Sequence, residues 1–377
     1  MRLKTSIAKG SYYLTRGIIP QRDLQLLLVL RRPTGVRGGI ERLFNDLGRS
    51  LEKNCHIDYV RPLKNYPRKI GLLSSLLRSI LSLLWKKYDL VIGQDLSLSI
   101  LGPFCRMFGI RLIIFAHGLD VVYPSSVYRR YVLFFSKYAS KIICVSKSTF
   151  DECSSLGIPH DKLLVVNNGV DFERWENLDK NETDLKNLNK VLQNRQYILS
   201  VGRLIERKGF HWFIMNAMPY LCEIYPDLRY VIIGEGPLKE MIENTIIKMN
   251  LVDKIILLGE VPDSILAWAY RNAAVLVSPN IPVSGDKEGF GLCNIEAPFF
   301  GTPVIASRID GIPDAITEGI TGFLVEPLNP DDFIHKISII LSGTYQFDKK
   351  VMREYVVNKF SSAKTAKLIL NLIKDPK

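Results

Sequence analysis

Short apolar runs alternate with helix-length segments from one end of the chain to the other. This rhythm predicts parallel sheets, because strands buried on both faces read as apolar runs and a helix must carry the chain back between them. In the first half the predicted strands are 24–30, 57–60, 90–92, 112–115, 141–145 and 163–166. In the second half they are 197–201, 229–233, 254–258, 274–277, 303–305 and 322–325. The sequence therefore predicts an α/β protein.

A polar stretch rich in Asn, Asp, Glu and Lys interrupts this pattern from Asp171 to Arg195. Such a stretch is typical of an interdomain linker, and 377 residues is a natural length for two domains. We expect doubly wound, Rossmann-like domains at 1–178 and 192–355, with a C-terminal helix in 356–377 that packs back on the first. Ligands then bind between the carboxyl ends of the two sets of strands.

The composition excludes several classes of protein. The six cysteines and five histidines show no metal-ligand spacing, so we expect free thiols, a cytoplasmic location, and neither a metal nor another cofactor. No run reaches the roughly 18 apolar residues of a spanning helix. Residues 1–22 are basic but lack the apolar core of a secretory signal, and their role is unassigned.

Positive charge is concentrated at the N-terminal end. Residues 1–87 hold 18 Lys and Arg against 5 Asp and Glu, whereas residues 191–377 hold 20 against 21. Between Ile70 and Lys87, apolar residues recur at helical spacing: Leu73, Leu76, Leu77, Ile80, Leu81 and Leu84. We expect this stripe to pack on the sheet. We expect the surrounding bases to face an anionic membrane, on its inner face and peripherally, rather than a nucleic acid.

Two loops after predicted strands of the second half are suited to a diphosphate. Gly202 ends one strand and is followed by Arg203 and Lys208. Fixed cations near a departing diphosphate stabilise the transition state more than the ground state, because negative charge grows on the leaving group. The next strand leads into a tight turn from Gly234 to Pro237 at a helix start, which by itself is weak support for a binding site.

A third loop places two carboxylates eight residues apart around a helix start. Backbone N–H groups at such a start bind phosphate, and a carboxylate beside phosphate is repelled unless it accepts hydrogen bonds from hydroxyls. The pattern therefore predicts a site for a sugar or a ribose next to the diphosphate. Its residues are Glu288, Gly289, Phe290, Gly291, Leu292 and Glu296.

Taken in order, these motifs resemble those of retaining glycosyltransferase family 4. The resemblance covers about residues 38–327. It depends on Gly-Gly-Ile-Glu at 38–41, Ala-His-Gly-Leu-Asp at 116–120, Val-Ser-Lys-Ser at 145–148, Asn-Asn-Gly-Val-Asp at 167–171, Gly-Arg at 202–203, Lys-Gly at 208–209 and Glu-x7-Glu at 288–296. It implies the GT-B fold, in which two Rossmann-like domains face each other across a cleft. Asp310 departs from the pattern, because many relatives carry glycine there.

The resemblance also implies an activity, the transfer of a sugar from a nucleoside-diphosphate sugar with retention at the anomeric carbon. Arg203 and Lys208 are then the residues that bind the diphosphate. Glu288 contacts hydroxyls of the transferred sugar, and Glu296 contacts those of the ribose. His117 lies beside the transferred sugar, which places it with Glu288, Arg203 and Lys208 among the catalytic candidates.

Other donor contacts implied by the resemblance come from the backbone. Gly38 and Gly39 approach the phosphates from the first domain, while Val261 and the turn at Gly234 and Pro237 frame the base. No Asp-x-Asp metal signature is present, so the cations and a helix dipole are expected to meet the leaving-group charge without a metal.

The acceptor side is specified least. We expect a lipid-linked or cell-surface glycan precursor, bound by the first domain. Two alternatives fit the same motifs: a GT-B-fold epimerase acting on a nucleotide sugar, and an inactive nucleotide-sugar-binding protein. Neither the donor base nor the sugar is specified.

Overall fold

The computed structural model describes residues 24–31, 38–63, 68–176, 178 and 195–374. Residues 1–22 and most of the predicted linker at 171–195 lie outside the described residues.

The first sheet has six parallel strands in the order β2-β1-β3-β4-β5-β6. They are β1 (Gln25–Val29), β2 (His56–Val60), β3 (Leu90–Gly93), β4 (Arg111–Ala116), β5 (Lys141–Cys144) and β6 (Leu163–Val165). Leu26 to Val29 are all fully buried. Since successive side chains of a strand point to opposite faces, this run requires helices on both sides of the sheet.

The helices of the first domain fill those two layers. They are α1 (Gly39–Glu52), α2 (Arg68–Trp85), α3 (Gly102–Met107), α4 (Leu119–Val122), α5 (Ser126–Ser136), α6 (Lys147–Leu156) and α7 (Phe172–Glu176), with 3₁₀ turns at Leu96–Leu101 and His160–Lys162. Local sequence sets several of their ends. The Ser146 hydroxyl, for example, accepts the Thr149 N–H at 3.1 Å at the start of α6.

The second sheet also has six parallel strands, in the order β12-β11-β10-β7-β8-β9. Its strands are β7 (Tyr197–Val201), β8 (Arg229–Ile233), β9 (Ile255–Gly259), β10 (Val275–Ser278), β11 (Val304–Ser307) and β12 (Gly322–Val325). The remaining helices are α8 (Phe210–Asn216), α9 (Met218–Ile224), α10 (Lys239–Lys248), α11 (Asp263–Asn272), α12 (Cys293–Phe299), α13 (Pro330–Leu341), α14 (Lys349–Phe360) and α15 (Ser362–Lys374), with 3₁₀ turns at Glu206–Lys208 and Ile312–Ala315.

These two sheets confirm the predicted fold class. Each of the twelve predicted strands is present, with ends that differ by no more than two residues. The pattern succeeded because strands buried on both faces leave uninterrupted apolar runs in the sequence.

Apolar side chains join the two halves. Phe172 stacks on Phe299 with ring centroids 4.7 Å apart, and one buried cluster contains residues from both sheets. Helix α15 lies against α1 of the first domain, where the Ser50 and Ser362 hydroxyls are 2.7 Å apart. The end of the chain therefore contacts the first domain, while α14 packs on α12 of the second.

Helix α2 differs from the expectation. Leu76 and Ile80 pack on the sheet, but Leu73, Leu77, Leu81 and Leu84 are 52–58% exposed, so the prediction that the whole stripe packs is wrong for these four. A helix on one sheet can bury only one side, and the apolar residues here extend around more than that side. No helix among the described residues combines the length and apolarity that a membrane span requires.

Candidate active site

A cleft of about 420 Å³ separates the first turn of α1 from the loops that follow β7 and β8. It brings together nine of the predicted site residues: Gly38, Gly39, Gly202, Arg203, Lys208, Gly234, Val261, Leu292 and Glu296. Residues distant in sequence and from both domains thus line one cavity.

A smaller pocket of about 90 Å³ adjoins the cleft, since both are lined by Gly39, Ile40 and Leu292. His117, Gly289 and Phe290 line this pocket. Glu288, Gly291 and Pro237 line neither cavity. Most of the predicted site residues therefore line the cleft or the smaller pocket, and Glu288, Gly291 and Pro237 lie outside both.

The first domain presents the amino end of α1 to the cleft. Gly38 precedes the helix and has no side chain to cap it, and Gly39 is its first residue. The first N–H groups of a helix have no partner within the helix and carry a partial positive charge. This end of α1 is suited to an anionic ligand.

On the opposite wall, cations converge on Glu288. Lys208 Nζ is 2.6 Å from Glu288 Oε2, and Arg207 pairs with the same oxygen. Arg207 Nε also donates to Asp286 Oδ1 at 3.0 Å. Burial acts to raise the pKa of Glu288, but the charges of Lys208 and Arg207 outweigh it and hold that pKa well below its ordinary value. Glu288 is therefore a fixed anion that holds Lys208 in place.

Glu296 is buried in α12, with 3% of its side chain exposed. Tyr270 donates its hydroxyl to Glu296 Oε2 at 2.8 Å, and Arg42 Nη1 donates to Oε1 at 3.2 Å. Arg42 Nη2 donates to Asp263 Oδ1 at 2.9 Å. Each carboxylate oxygen accepts one of these bonds and has two lone pairs, so Glu296 can accept further bonds from ligand hydroxyls.

His117 is held in one orientation. Its Nε2 is 2.8 Å from the carbonyl oxygen of Gln94, which can only accept, so this nitrogen carries the proton. The His117 N–H donates to Asp120 Oδ1 at 2.7 Å, and its ring stacks on Phe115. Burial raises the pKa of Asp120, an effect that the neighbouring His117 opposes. The ring is thus fixed at the wall of the smaller pocket.

Two glycines allow close backbone contacts around the cleft, one between the domains and one between two loops of the second domain. A Cβ on Gly289 would lie 2.1 Å from the carbonyl oxygen of His117, so glycine lets the second-domain loop touch the first domain. A Cβ on Gly234 would lie 1.9 Å from the Gly202 carbonyl oxygen. Only a residue without a side chain fits at either position.

Asp310, the departure noted in the sequence, occupies a left-handed conformation with φ 52°. Glycine adopts this conformation without strain, and aspartate tolerates it better than most residues. The side chain accepts the Glu288 N–H at 3.0 Å. The substitution thus keeps the turn and adds a bond to the Glu288 loop.

Sequence reasoning missed Arg42, Arg207 and Tyr270. Arg207 lies within the motif beside Lys208, and Arg42 directly follows the Gly-Gly-Ile-Glu motif, so adjacency was the available signal. Tyr270 carried no signal, because only the packing of α11 on α12 brings it to Glu296. The described residues contain no group of three or more His, Cys, Asp or Glu side chains that could hold a metal ion.

Two facing Rossmann-like domains with a ligand cleft between them are the arrangement of the GT-B fold. A sequence profile described as glycosyl transferases group 1 matches residues 181–372, and one described as glycosyltransferase family 4 matches residues 42–174. The chain belongs to the glycosyl transferases group 1 family, of the family 4 type.

Individual proteins agree with this assignment. An uncharacterized glycosyltransferase of Methanocaldococcus jannaschii is 32% identical over 64% of this chain, which spans 62% of that relative's length. A UDP-Gal:alpha-D-GlcNAc-diphosphoundecaprenol alpha-1,3-galactosyltransferase of Escherichia coli is 29% identical over 82% of this chain and 81% of its own length. An Anabaena protein solved with UDP and glucose shares the fold with a TM-score of 0.73 at 16% identity, covering 93% of this chain and all of its own.

Proposed function

We propose that this protein transfers a sugar, with retention, from a nucleoside-diphosphate sugar to a lipid-linked or other glycan acceptor. One observation carries the proposal: the uncapped amino end of α1 faces Arg203 and Lys208 across a cleft whose wall also holds Glu296. A helix end and two cations suit a diphosphate, and a buried carboxylate suits the ribose hydroxyls.

The contacts of Lys208 fit this role. An ammonium has three N–H donors, so the bond to Glu288 at 2.6 Å leaves others for phosphate oxygens. Arg207 pairs with the same carboxylate oxygen. The ion pair fixes Lys208 before the donor arrives, which removes a reorganisation cost from the reaction.

The sugar then occupies the smaller pocket, beside His117 and the loop at Gly289. The bond from the anomeric carbon to the phosphate oxygen breaks, and its electron pair goes to the diphosphate. The acceptor hydroxyl forms the new bond on the same face and gives its proton to that phosphate oxygen. Arg203, Lys208 and the end of α1 stabilise the charge on the leaving group, so the proposed reaction needs no metal ion.

The nature of the acceptor is supported by the galactosyltransferase of Escherichia coli, whose name specifies a diphosphoundecaprenol-linked sugar. By analogy we propose a membrane-borne acceptor for this chain, reached from the cytoplasmic side. The first domain contributes His117 and several other residues to the wall of the smaller pocket. We expect the acceptor to approach the sugar along this wall.

Binding measurements with a panel of UDP-, GDP- and ADP-sugars test the donor site first. One nucleotide class should bind, and Glu296→Gln should weaken that binding. Proton NMR of the product then reports the anomeric configuration, which should match that of the donor. Failure of all donors to bind would refute the proposal.

A reaction without acceptor separates the alternatives. An epimerase converts its nucleotide sugar alone, whereas a transferase releases nucleoside diphosphate slowly until an acceptor is added. A binding protein without activity would hold the donor unchanged in both cases.

A further inference from the structure

Six large apolar side chains on α2 are more than half exposed. We call this set the outer stripe of α2: Ile70, Leu73, Leu77, Leu81, Leu84 and Trp85. The first five recur every three or four residues, which places them along one side of the helix. Trp85, at the end, is 85% exposed.

The opposite side of the same helix already supplies the packing that the fold needs. Leu72, Leu76, Ile80 and Leu83 contact the apolar cluster under the first sheet. The outer stripe is therefore not required to hold α2 in place. A continuous apolar stripe along a helix is costly to leave in water and marks an interaction surface.

The charges around the outer stripe are basic. Helix α2 contains no Asp or Glu, and Arg78, Lys86 and Lys87 are exposed within it or directly after it. Arg78 Nη1 donates to the carbonyl oxygen of Arg61 at 3.1 Å, while Lys86 also pairs with Asp58 at 2.8 Å. Residues 1–87 as a whole carry 18 bases and 5 acids.

We propose that the outer stripe of α2 inserts into the interfacial layer of an anionic phospholipid bilayer, with Arg78 and Lys87 against the lipid phosphates. Leucine side chains replace water contacts with acyl-chain contacts, while basic residues beside them interact with the headgroups. Tryptophan at the end of such a helix favours the same layer.

A bilayer fits these features better than a protein partner or a second copy of the chain. A self-complementary interface would place the basic groups of one α2 near those of the other, and this repulsion opposes association. A lipid surface offers negative charge everywhere along the stripe and requires no matching pocket.

The position of α2 indicates a role for this membrane contact, and that role rests on the proposed function. Strands β2 and β4 are parallel members of one sheet, so their carboxyl ends lie at the same edge. His117 follows β4 and lines the smaller pocket, and α2 follows β2. Helix α2 starts at this edge and leads to the amino end of β3 at the opposite edge. Docking through α2 therefore lays one side of the first domain on the membrane that carries the acceptor, with the start of the helix toward the cleft.

Co-sedimentation of the full chain with vesicles tests the surface. The protein should pellet with phosphatidylcholine vesicles that contain phosphatidylglycerol, and less as salt is raised. Replacing Leu73, Leu77 and Leu81 together with Gln should weaken this partition at least tenfold. The matched control replaces Ile247 and Val252 with Gln, since these are 64% and 60% exposed in the second domain, and it should bind like the parent.

Two further measurements test the role of the basic residues and of Trp85. Arg78→Gln with Lys87→Gln should lower binding to anionic vesicles and leave the unfolding temperature unchanged, which excludes misfolding as the cause. Trp85 fluorescence, measured as the difference from Trp85→Phe, should shift to the blue on anionic vesicles.

Several outcomes would overturn the proposal: no parental binding at low salt, equal binding to neutral and anionic vesicles, or unchanged binding of the leucine variant. A parental dimer in sedimentation velocity that the leucine variant loses would assign the stripe to a second copy instead. Donor turnover is measured separately in vesicle-free buffer. Its absence counts against the proposed transferase, while the vesicle result alone decides the docking surface.

Discussion

Arg42 of the first domain and Glu296 of the second form an ion pair across the cleft, with Arg42 Nη1 3.2 Å from Glu296 Oε1. The same guanidinium donates to Asp263 at 2.9 Å, also in the second domain. A planar guanidinium can hold two carboxylates at fixed positions. The pair therefore couples the relative position of the domains to the carboxylate proposed to bind the ribose.

Arg42→Met should lower the free energy of unfolding by about 2 kcal/mol, because it leaves the buried Glu296 without its charged donor. Arg42→Lys should recover only part of this loss, since an ammonium cannot bridge both carboxylates as the guanidinium does. Urea denaturation measures the change. Arg49→Met is the control: Arg49 is 54% exposed and 3.8 Å from Asp171. Equal losses of unfolding free energy in Arg42→Met and Arg49→Met would show that the pair across the cleft stabilises the protein no more than an exposed pair does.

Arg203→Met and Lys208→Met should each lower kcat by about 100-fold or more, because each removes a cation from beside the leaving diphosphate. Lys350→Met provides the control, since Lys350 is 85% exposed and 4.0 Å from Glu354, away from the cleft. Steady-state kinetics with the identified donor gives the result. Near-parental turnover of both variants at saturating donor would place the diphosphate elsewhere.

The backbone of this protein follows from its sequence more fully than its site does. Apolar runs such as Leu26–Val29 and Ile198–Leu199 are buried on both faces of their sheets, so the burial of each strand can be recognised from its own sequence. Local sequence did not determine which apolar residues of α2 are buried. Leu76 and Leu77 are chemically alike, and only the position of the sheet decides which is covered.

The same limit applies to the site. Spacing predicted Glu288, Glu296 and Lys208 as site residues, and the structure places Lys208 and Glu296 at the cleft with Glu288 bonded to Lys208. Spacing gave no sign that Lys208 and Glu288 pair with each other, or that Tyr270 bonds Glu296. Such contacts depend on side chains that meet only after the loops and helices have packed.

Glu288→Gln should reduce kcat more than Glu296→Gln, which should act mainly on donor affinity. Glu288 holds Lys208, so its loss disturbs a contact that strengthens as the leaving group gains charge. Ribose contacts hold the ground and transition states alike, so they affect KM and the donor Kd. Kinetics and calorimetric titration of both variants provide the comparison. The reverse pattern would exchange the roles of the two glutamates.

The Glu288 cluster should also make stability depend on pH. The charges of Lys208 and Arg207 outweigh the effect of burial and hold the pKa of Glu288 well below its ordinary 4.5. A lowered folded-state pKa means that the stabilisation is complete above pH 4.5 and is lost as the pH falls below that value. The difference in unfolding temperature between the parent and Glu288→Gln, measured from about pH 7 to about pH 3, should therefore shrink below about pH 4.5. A constant difference over that range would contradict this assignment.

Gly289→Ala and Gly39→Ala should separate the packing of the domains from the binding of the donor. A Cβ on Gly289 would lie 2.1 Å from the His117 carbonyl oxygen, so the loop or the first domain must move, and the unfolding temperature should fall. A Cβ on Gly39 would meet Leu292 Cδ1 at an ordinary 3.6 Å, so stability should be kept. The added methyl group would nevertheless stand at the amino end of α1, where the phosphates are proposed to bind, and donor affinity should drop about tenfold or more. Calorimetry and donor titration on both variants test this pair. A Gly39→Ala variant that binds the donor like the parent would remove α1 from the phosphate site.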